Sequence, residues 1–182
     1  MTNNSDYTLY SGAHKGAEAE FGSQAEQHGI NEVNYSFEGH QMERERGVEV
    51  LSSNDLQKGE ISMEIISERM GRKYTRADKV KVVIQSIYHM VHNGFQVFAV
   101  GWIQEDNTVK GGTGWAVELA KLFNRPLHVF DQDKNAWFTW EENTWKQDTP
   151  TIQHKTFCGT GTRSLSAEGK QAIKALYDRS FS

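Results

Sequence analysis

Short apolar runs alternate with amphipathic stretches along the chain, and each stretch predicts an element. Tyr7–Ser11 reads as a strand, and Ala17, Phe21, Ala25 and His28 mark one face of a following helix that Gly29 stops. Val33–Phe37 is a second strand. Residues 39–60 are polar and charged without a period, which predicts a long surface excursion. Ile61, Ile65, Ile66 and Met70 suggest a modest helix; Val80, Val83, Ile84, Ile87 and Val91 follow the i, i+3, i+4, i+7 rule up to Asn93-Gly94. Phe95–Ile103 is the most continuous apolar run and reads as a central buried strand. A helix with Ala116, Leu119, Ala120 and Phe123 inward, a strand at Leu127–Phe130 and a hairpin carrying Trp137, Trp140 and Trp145 follow. Thr156–Cys158 is the last strand, and Ser166–Tyr177 a helix packing through Ile173, Leu176 and Tyr177.

Strand–helix alternation needs crossover connections, so the expected fold is α/β: one domain over 1–182, a mainly parallel sheet of about five strands with helices on both faces, plus the small tryptophan-rich hairpin. The 182 residues suit one such domain. Twenty basic and 24 acidic residues give a net charge of −4, and no basic stripe stands out, which argues against a nucleic-acid partner. No apolar run approaches the ~18–20 residues of a membrane span, and the polar start MTNNSDYT does not read as a signal peptide, so a cytoplasmic protein without a membrane partner is expected. The single cysteine, Cys158, excludes an intrachain disulfide framework and a multi-cysteine metal site.

The glycines change the picture. There are 16 against two prolines, which is not a linker composition, and seven of them fall in three segments at predicted strand ends. These are Ser11, Gly12, Ala13, His14, Lys15 and Gly16; Lys110, Gly111, Gly112, Thr113 and Gly114; and Gly159, Thr160, Gly161, Thr162 and Arg163. Ligands of open α/β sheets bind outside the carboxyl ends of the strands. Glycine lets backbone N–H groups approach an anion, helix N-termini add unpaired donors and partial positive charge, and Lys15, Lys110 and Arg163 add full charges. Neither a Walker loop nor a dinucleotide fingerprint is present. His14 reads as a phosphate or base contact or as a solvent-facing turn residue. Glu18, one turn into its helix, reads as a ligand contact or as a brace that holds the loop by hydrogen bonds.

Other features favour structural roles. His89 and His92 have metal-ligand spacing without a supporting carboxylate or thiol. The hairpin tryptophans fit a packing or subunit-contact face better than base stacking, and Cys158 reads as a buried thiol.

SGAHKGAEAEF resembles the S-G-G-A-x-G-x-D segment of the SLOG superfamily, whose Rossmann-like domains include the DNA-processing protein A, the LOG phosphoribohydrolases and molybdenum-cofactor carrier proteins. KGGTGWAVE is similar to the LOG signature P-G-G-x-G-T-x-x-E, with Lys110 for proline, Trp115 for threonine, and Gly111, Gly112, Gly114 and Glu118 matching. FCGTGTRSLSAEG resembles the G-S-R loop of the DNA-processing-protein-like members. Their order here, with the arginine-bearing motif last instead of first, is that of a circular permutation, as in the molybdenum-cofactor carriers. The resemblance implies a nucleotide-derived, phosphate-bearing ligand, such as an ADP-ribose or cyclic-nucleotide signal, that is sensed, carried or sequestered (a viral sponge of an immune signal is one form), with no required cofactor and no metal. It also implies a homo-oligomer. The alternatives it leaves open are a phosphoribohydrolase in which Glu118 acts on the N-glycosidic bond of a nucleoside monophosphate, and a molybdenum-cofactor carrier. The arginine of such a hydrolase has no motif match; Arg69, Arg72 and Arg76 precede the central strand outside any such context.

Overall fold

The computed structural model describes residues 3–74 and 78–181, and Arg76 lies outside them. The strands are β1 (Thr8–Ser11), β2 (Asn31–Ser36), β3 (Val48–Val50), β4 (Gln96–Gly101), β5 (Leu127–Asp131), β6 (Ala136–Glu141), β7 (Thr144–Asp148) and β8 (Thr156–Gly161). The helices are α1 (Ala17–Gln27), α2 (Ser53–Gln57), α3 (Glu60–Met70), α4 (Asp78–Asn93), α5 (Thr113–Leu122) and α6 (Ala167–Ser180). All strands join one mixed eight-stranded sheet in the order β3-β2-β1-β8-β4-β5-β6-β7. β3 through β5 in that order pair in parallel, with Tyr10 opposite Cys158 and Val97 opposite both Cys158 and Leu127. The hairpin β6–β7 adds two antiparallel strands.

Alternation along β4 builds two cores. Val97 and Ala99 face α3, α4 and α5, together with Cys158, Ile84, Met90, Leu119 and Leu127. Phe98 and Val100 face α1 and α6, with Leu9, Phe21, Phe157, Ile173, Leu176 and Tyr177. A strand covered on both faces is apolar along its middle, as Val97–Val100 are, but the strand is shorter than the 95–103 run: Phe95 is exposed before it, and buried Gln96 is satisfied by His128, the Thr151 carbonyl and the Gln153 N–H. Local chemistry sets the helix starts: the Ser166 hydroxyl accepts the Gly169 N–H, and Ser52 and Asp55 form a reciprocal capping box.

Several expectations are corrected here. The sheet has eight strands instead of about five, because the tryptophan hairpin is not an appendage but continues the sheet from β5. The 39–60 segment is no plain surface excursion: it contributes edge strand β3 and helix α2. Arg44 and Arg46 of that segment anchor it to Glu32, whose side chain is wholly buried. In α3 the buried face is Met63 and Ile66, whereas Ile61 and Ile65 are exposed. β8 runs on to Gly161, three residues beyond its expected end.

His89 is buried and donates to the Asp55 carbonyl, and His92 stacks on Tyr88. Trp137 packs edge-on against Phe98 and Phe130, while Trp140 and Trp145 enclose the Lys121 ammonium at 3.9 and 5.4 Å from their ring centres. Among the described residues no helix is long and apolar enough to cross a membrane.

Candidate functional site

The strand order reverses at β8: β1 and β2 lie to one side, β4 and β5 to the other. Loops leaving the carboxyl ends of β8 and β4 therefore diverge to opposite faces and leave a crevice. A cavity of about 350 Å³ opens there, lined by His14 and Glu18 from the first glycine segment and the helix after it, Lys110, Gly111, Gly112 and Thr113 from the second segment, and Thr160, Gly161, Thr162 and Arg163 from the third. α4 closes it with Val83, Ser86, Ile87 and Met90, and Trp102 completes the wall. A second lobe of about 500 Å³ shares His14, Val83 and Arg163 and adds Lys15, Phe37, Glu38, His40 and Glu43.

Six of the expected residues do not line the cleft, and packing explains each. Ser11 is fully buried and donates to the Gly159 carbonyl at 2.6 Å. Gly159 sits within β8, and a Cβ there would fall 2.4 Å from the Phe21 ring. Gly12 lies over the Glu18 carboxylate, and Ala13 is buried. Gly16 has φ +95°, a conformation other residues rarely adopt, and a Cβ would meet the Thr162 carbonyl at 2.4 Å; it seals the first glycine segment against the third. Gly114 leaves room for the Arg72 guanidinium.

Arg72 is the clamp of the second segment. It donates to the Gly111 carbonyl at 2.9 Å, the Val109 carbonyl at 2.8 Å and Gln104 Oε1 at 3.0 Å. Replacing it by alanine strips these carbonyls of a charged donor, and a loss of about 1–3 kcal/mol in stability is expected in urea unfolding, with earlier proteolytic cutting in residues 104–112.

The first segment satisfies itself from within. Glu18 Oε1 accepts the His14 N–H at 3.3 Å and lies 3.1 Å from His14 Nδ1, while Oε2 accepts the Thr160 hydroxyl at 2.6 Å. Burial alone raises the pKa of this carboxyl, but the hydrogen bonds and charge of His14, with the hydrogen bond of Thr160, outweigh it and hold the group below its ordinary value. In this arrangement Glu18 braces the loops. A depressed carboxyl contributes stability that is present above its unfolded-state pKa and lost as pH falls through the folded value. Glu18→Gln is expected to flatten the acid side of the stability–pH curve below about pH 4.5, measured by urea unfolding across pH 3–7.

His40, from the segment after β2, has no counterpart in any sequence period and is missed by pattern alone. Its Nε2 lies 3.1 Å from His14 Nε2, its Nδ1 lies 3.0 Å from Ser36 Oγ, and its ring stacks on Phe37. Burial, with the nearby charges of His14 and Arg163, lowers its pKa to about 4, so it is neutral at pH 7. Trp102 is the second addition; its ring lies 5.6 Å below the Lys110 ammonium and offers an aromatic wall.

Glu118 is not in this cleft. It pairs with Lys121 at 2.8 Å and lines a separate polar depression with Arg69, Asp106 and Trp140. Among the described residues no group of three or more His, Cys, Asp or Glu is arranged to hold a metal ion. No family model, curated protein or solved structure matches the chain.

Proposed function

We propose that the cleft at the strand-order reversal binds a nucleotide-derived, phosphate-bearing small molecule, as a sensor, carrier or sequestering protein. The observation that carries this reading is convergence: segments from the start, middle and end of the chain bring His14, Lys110, Thr113, Thr160 and Arg163 to one cavity. The α5 N-terminus adds a partial positive charge beside Lys110, its Gly114 and Trp115 N–H groups already donating to the Gly111 and Gly112 carbonyls. Gly111 and Gly112 have open space where a Cβ would stand, so a phosphate can approach their backbone. Trp102 provides a face on which a base can stack.

The Rossmann-like, circularly permuted reading belongs with this proposal. If β8–α6 is counted as the first βα unit, then β8, β1, β2, β4 and β5 take the order 3-2-1-4-5 of dinucleotide-binding sheets. Phe181, just after α6, packs edge-on against Tyr7 before β1 at 5.0 Å, which is the junction such a permutation requires. A homo-oligomer is part of the proposal on the SLOG resemblance, and a cytoplasmic location on the single cysteine, the buried thiol of Cys158.

Phosphoribohydrolase chemistry through Glu118 is the less favoured reading, because that carboxylate lines another depression. The test is to incubate the protein with nucleoside monophosphates and with linear and cyclic ADP-ribose compounds, then to chromatograph bound and free fractions after denaturation. Intact ligand recovered from the protein is the expected result. Free base that disappears in Glu118→Gln establishes hydrolysis instead, and no retention of any compound overturns both.

A further inference from the structure

His14 and His40 line the larger lobe together, one from the segment after β1 and one from the segment after β2. Each ring is held by its Nδ1. His14 Nδ1 lies 3.1 Å from Glu18 Oε1, and a carboxylate only accepts, so this nitrogen carries a hydrogen. His40 Nδ1 lies 3.0 Å from Ser36 Oγ, a hydroxyl oxygen able to accept its hydrogen, and the His40 ring is stacked on Phe37 with ring centres 4.5 Å apart. Nε2 is then the nitrogen that each ring can offer to a third group, and the two Nε2 atoms lie 3.1 Å apart.

Their mutual geometry suits a shared ion better than a hydrogen bond. A straight N–H···N bond of this length would set two imidazole centres about 5.4 Å apart. Here the centres are 4.4 Å apart and the planes are tilted by 59°, so at least one ring is turned off the line joining the nitrogens. Two imidazoles that bind one ion are both turned off that line. With zinc–nitrogen bonds of about 2.0–2.1 Å and angles of about 90–110°, their nitrogens stand about 2.8–3.4 Å apart, a span that includes the observed 3.1 Å. A metal-binding histidine typically gives its other N–H to an acceptor that fixes the ring and raises its basicity. Glu18 does this for His14, and Ser36 is placed to do it for His40.

The surrounding charge is compatible with a cation. Glu18 behind His14 and Glu38 and Glu43 on the lobe wall outnumber Lys15 and Arg163, while α4 contributes only Val82 and Val83. Burial lowers the pKa of His40 to about 4, so its ring has no extra proton to lose at pH 7, and any that His14 carries leaves as a metal arrives.

We infer that His14 and His40 bind one divalent transition ion of the zinc, nickel or cobalt class through their Nε2 atoms. No third His, Cys, Asp or Glu joins them among the described residues, so water or a ligand oxygen completes the coordination. This site departs from the metal-free pocket that the SLOG resemblance implies, and it stands whether or not the cleft takes a nucleotide.

Isothermal titration of the chelator-treated full chain with zinc, nickel and calcium chlorides at pH 7 tests it. One zinc or nickel ion per chain is expected to bind at micromolar concentration, with calcium about tenfold weaker or more, because imidazole suits the first two and calcium takes oxygen ligands. His14→Ala and His40→Ala are each expected to weaken zinc by about tenfold or more, and Glu18→Gln by about 10–100-fold. His92→Ala, whose ring stacks on Tyr88 instead, is expected to leave the affinity unchanged. A second reading needs no variant at this site: in nuclear magnetic resonance spectra of the unaltered protein, substoichiometric nickel is expected to broaden the ring signals of His14 and His40 first among the seven histidines. The inference is overturned if neither zinc nor nickel binds at millimolar concentration, if calcium binds as tightly, if both histidine variants keep the original affinity, or if other histidines broaden ahead of this pair.

Discussion

Alanine at both Lys110 and Arg163 is expected to lower affinity for a nucleoside monophosphate by about 100-fold, measured by isothermal titration at 0.1 M salt. The two side chains stand on different walls of the same cavity, one before the α5 N-terminus and one after β8. A charged hydrogen bond to phosphate contributes about 1.5–3 kcal/mol, and exposure of both groups brings each towards the lower end. Together they amount to about 3 kcal/mol, a factor of about 100. The single variants should each lose about tenfold, and the loss should shrink as salt is raised, because exposed charges are screened. Unchanged affinity in the double variant would remove both walls from the site.

Phe98→Ala is the substitution expected to damage the fold most. Phe98 is fully buried at the middle of β4, stacked on His128 at 4.9 Å and edge-on to Trp137 and Phe157 at 6.0 and 6.3 Å. Deleting the ring removes its transfer free energy and leaves a cavity in a wall shared by β4, β5, β6 and β8 that none of those strands can fill by shifting alone. A cost of about 3–5 kcal/mol is expected in urea unfolding, with a fall of roughly 6–20 °C in melting temperature. Phe98→Leu, which keeps most of the volume, should cost less than half as much. Equal losses for the two variants would place the stability elsewhere than in ring packing.

The parts of this fold that are legible in the sequence are those whose physics is periodic. β4 is read directly from its apolar run, and the helical spacing of Ile84, Ile87 and Val91 places α4, whereas Val80 of the same pattern is exposed. The glycine segments are visible because strand ends and glycine coincide there. What the residues do within them is less visible, since one letter serves two purposes: Gly111 and Gly112 leave space for a ligand, whereas Gly159 leaves space for Phe21. Glu118 shows the same ambiguity in helical form. It occupies the motif position, yet its turn of α5 faces Lys121 and the hairpin. His40 lies in a stretch with no period at all, and the ion pairs of Arg44 and Arg46 with Glu32, with the Glu43 N–H donated to the Ala13 carbonyl, bring that stretch to the cleft. Contacts made across the fold by single side chains leave no pattern along the chain.

β8 carries a consequence for how the chain comes together. It is the eighth strand in sequence and sits between the first and the fourth, so the β3-β2-β1 group and the β4-β5-β6-β7 group meet only through it. Until residues 156–161 are made, each group presents an open edge where β8 belongs, and the contacts that close the sheet span most of the chain. Assembly is therefore expected to be slow for this size and to end with the insertion of its own centre. The third wall of the cleft follows β8 directly, so ligand-binding competence arrives in the same event that makes the sheet whole.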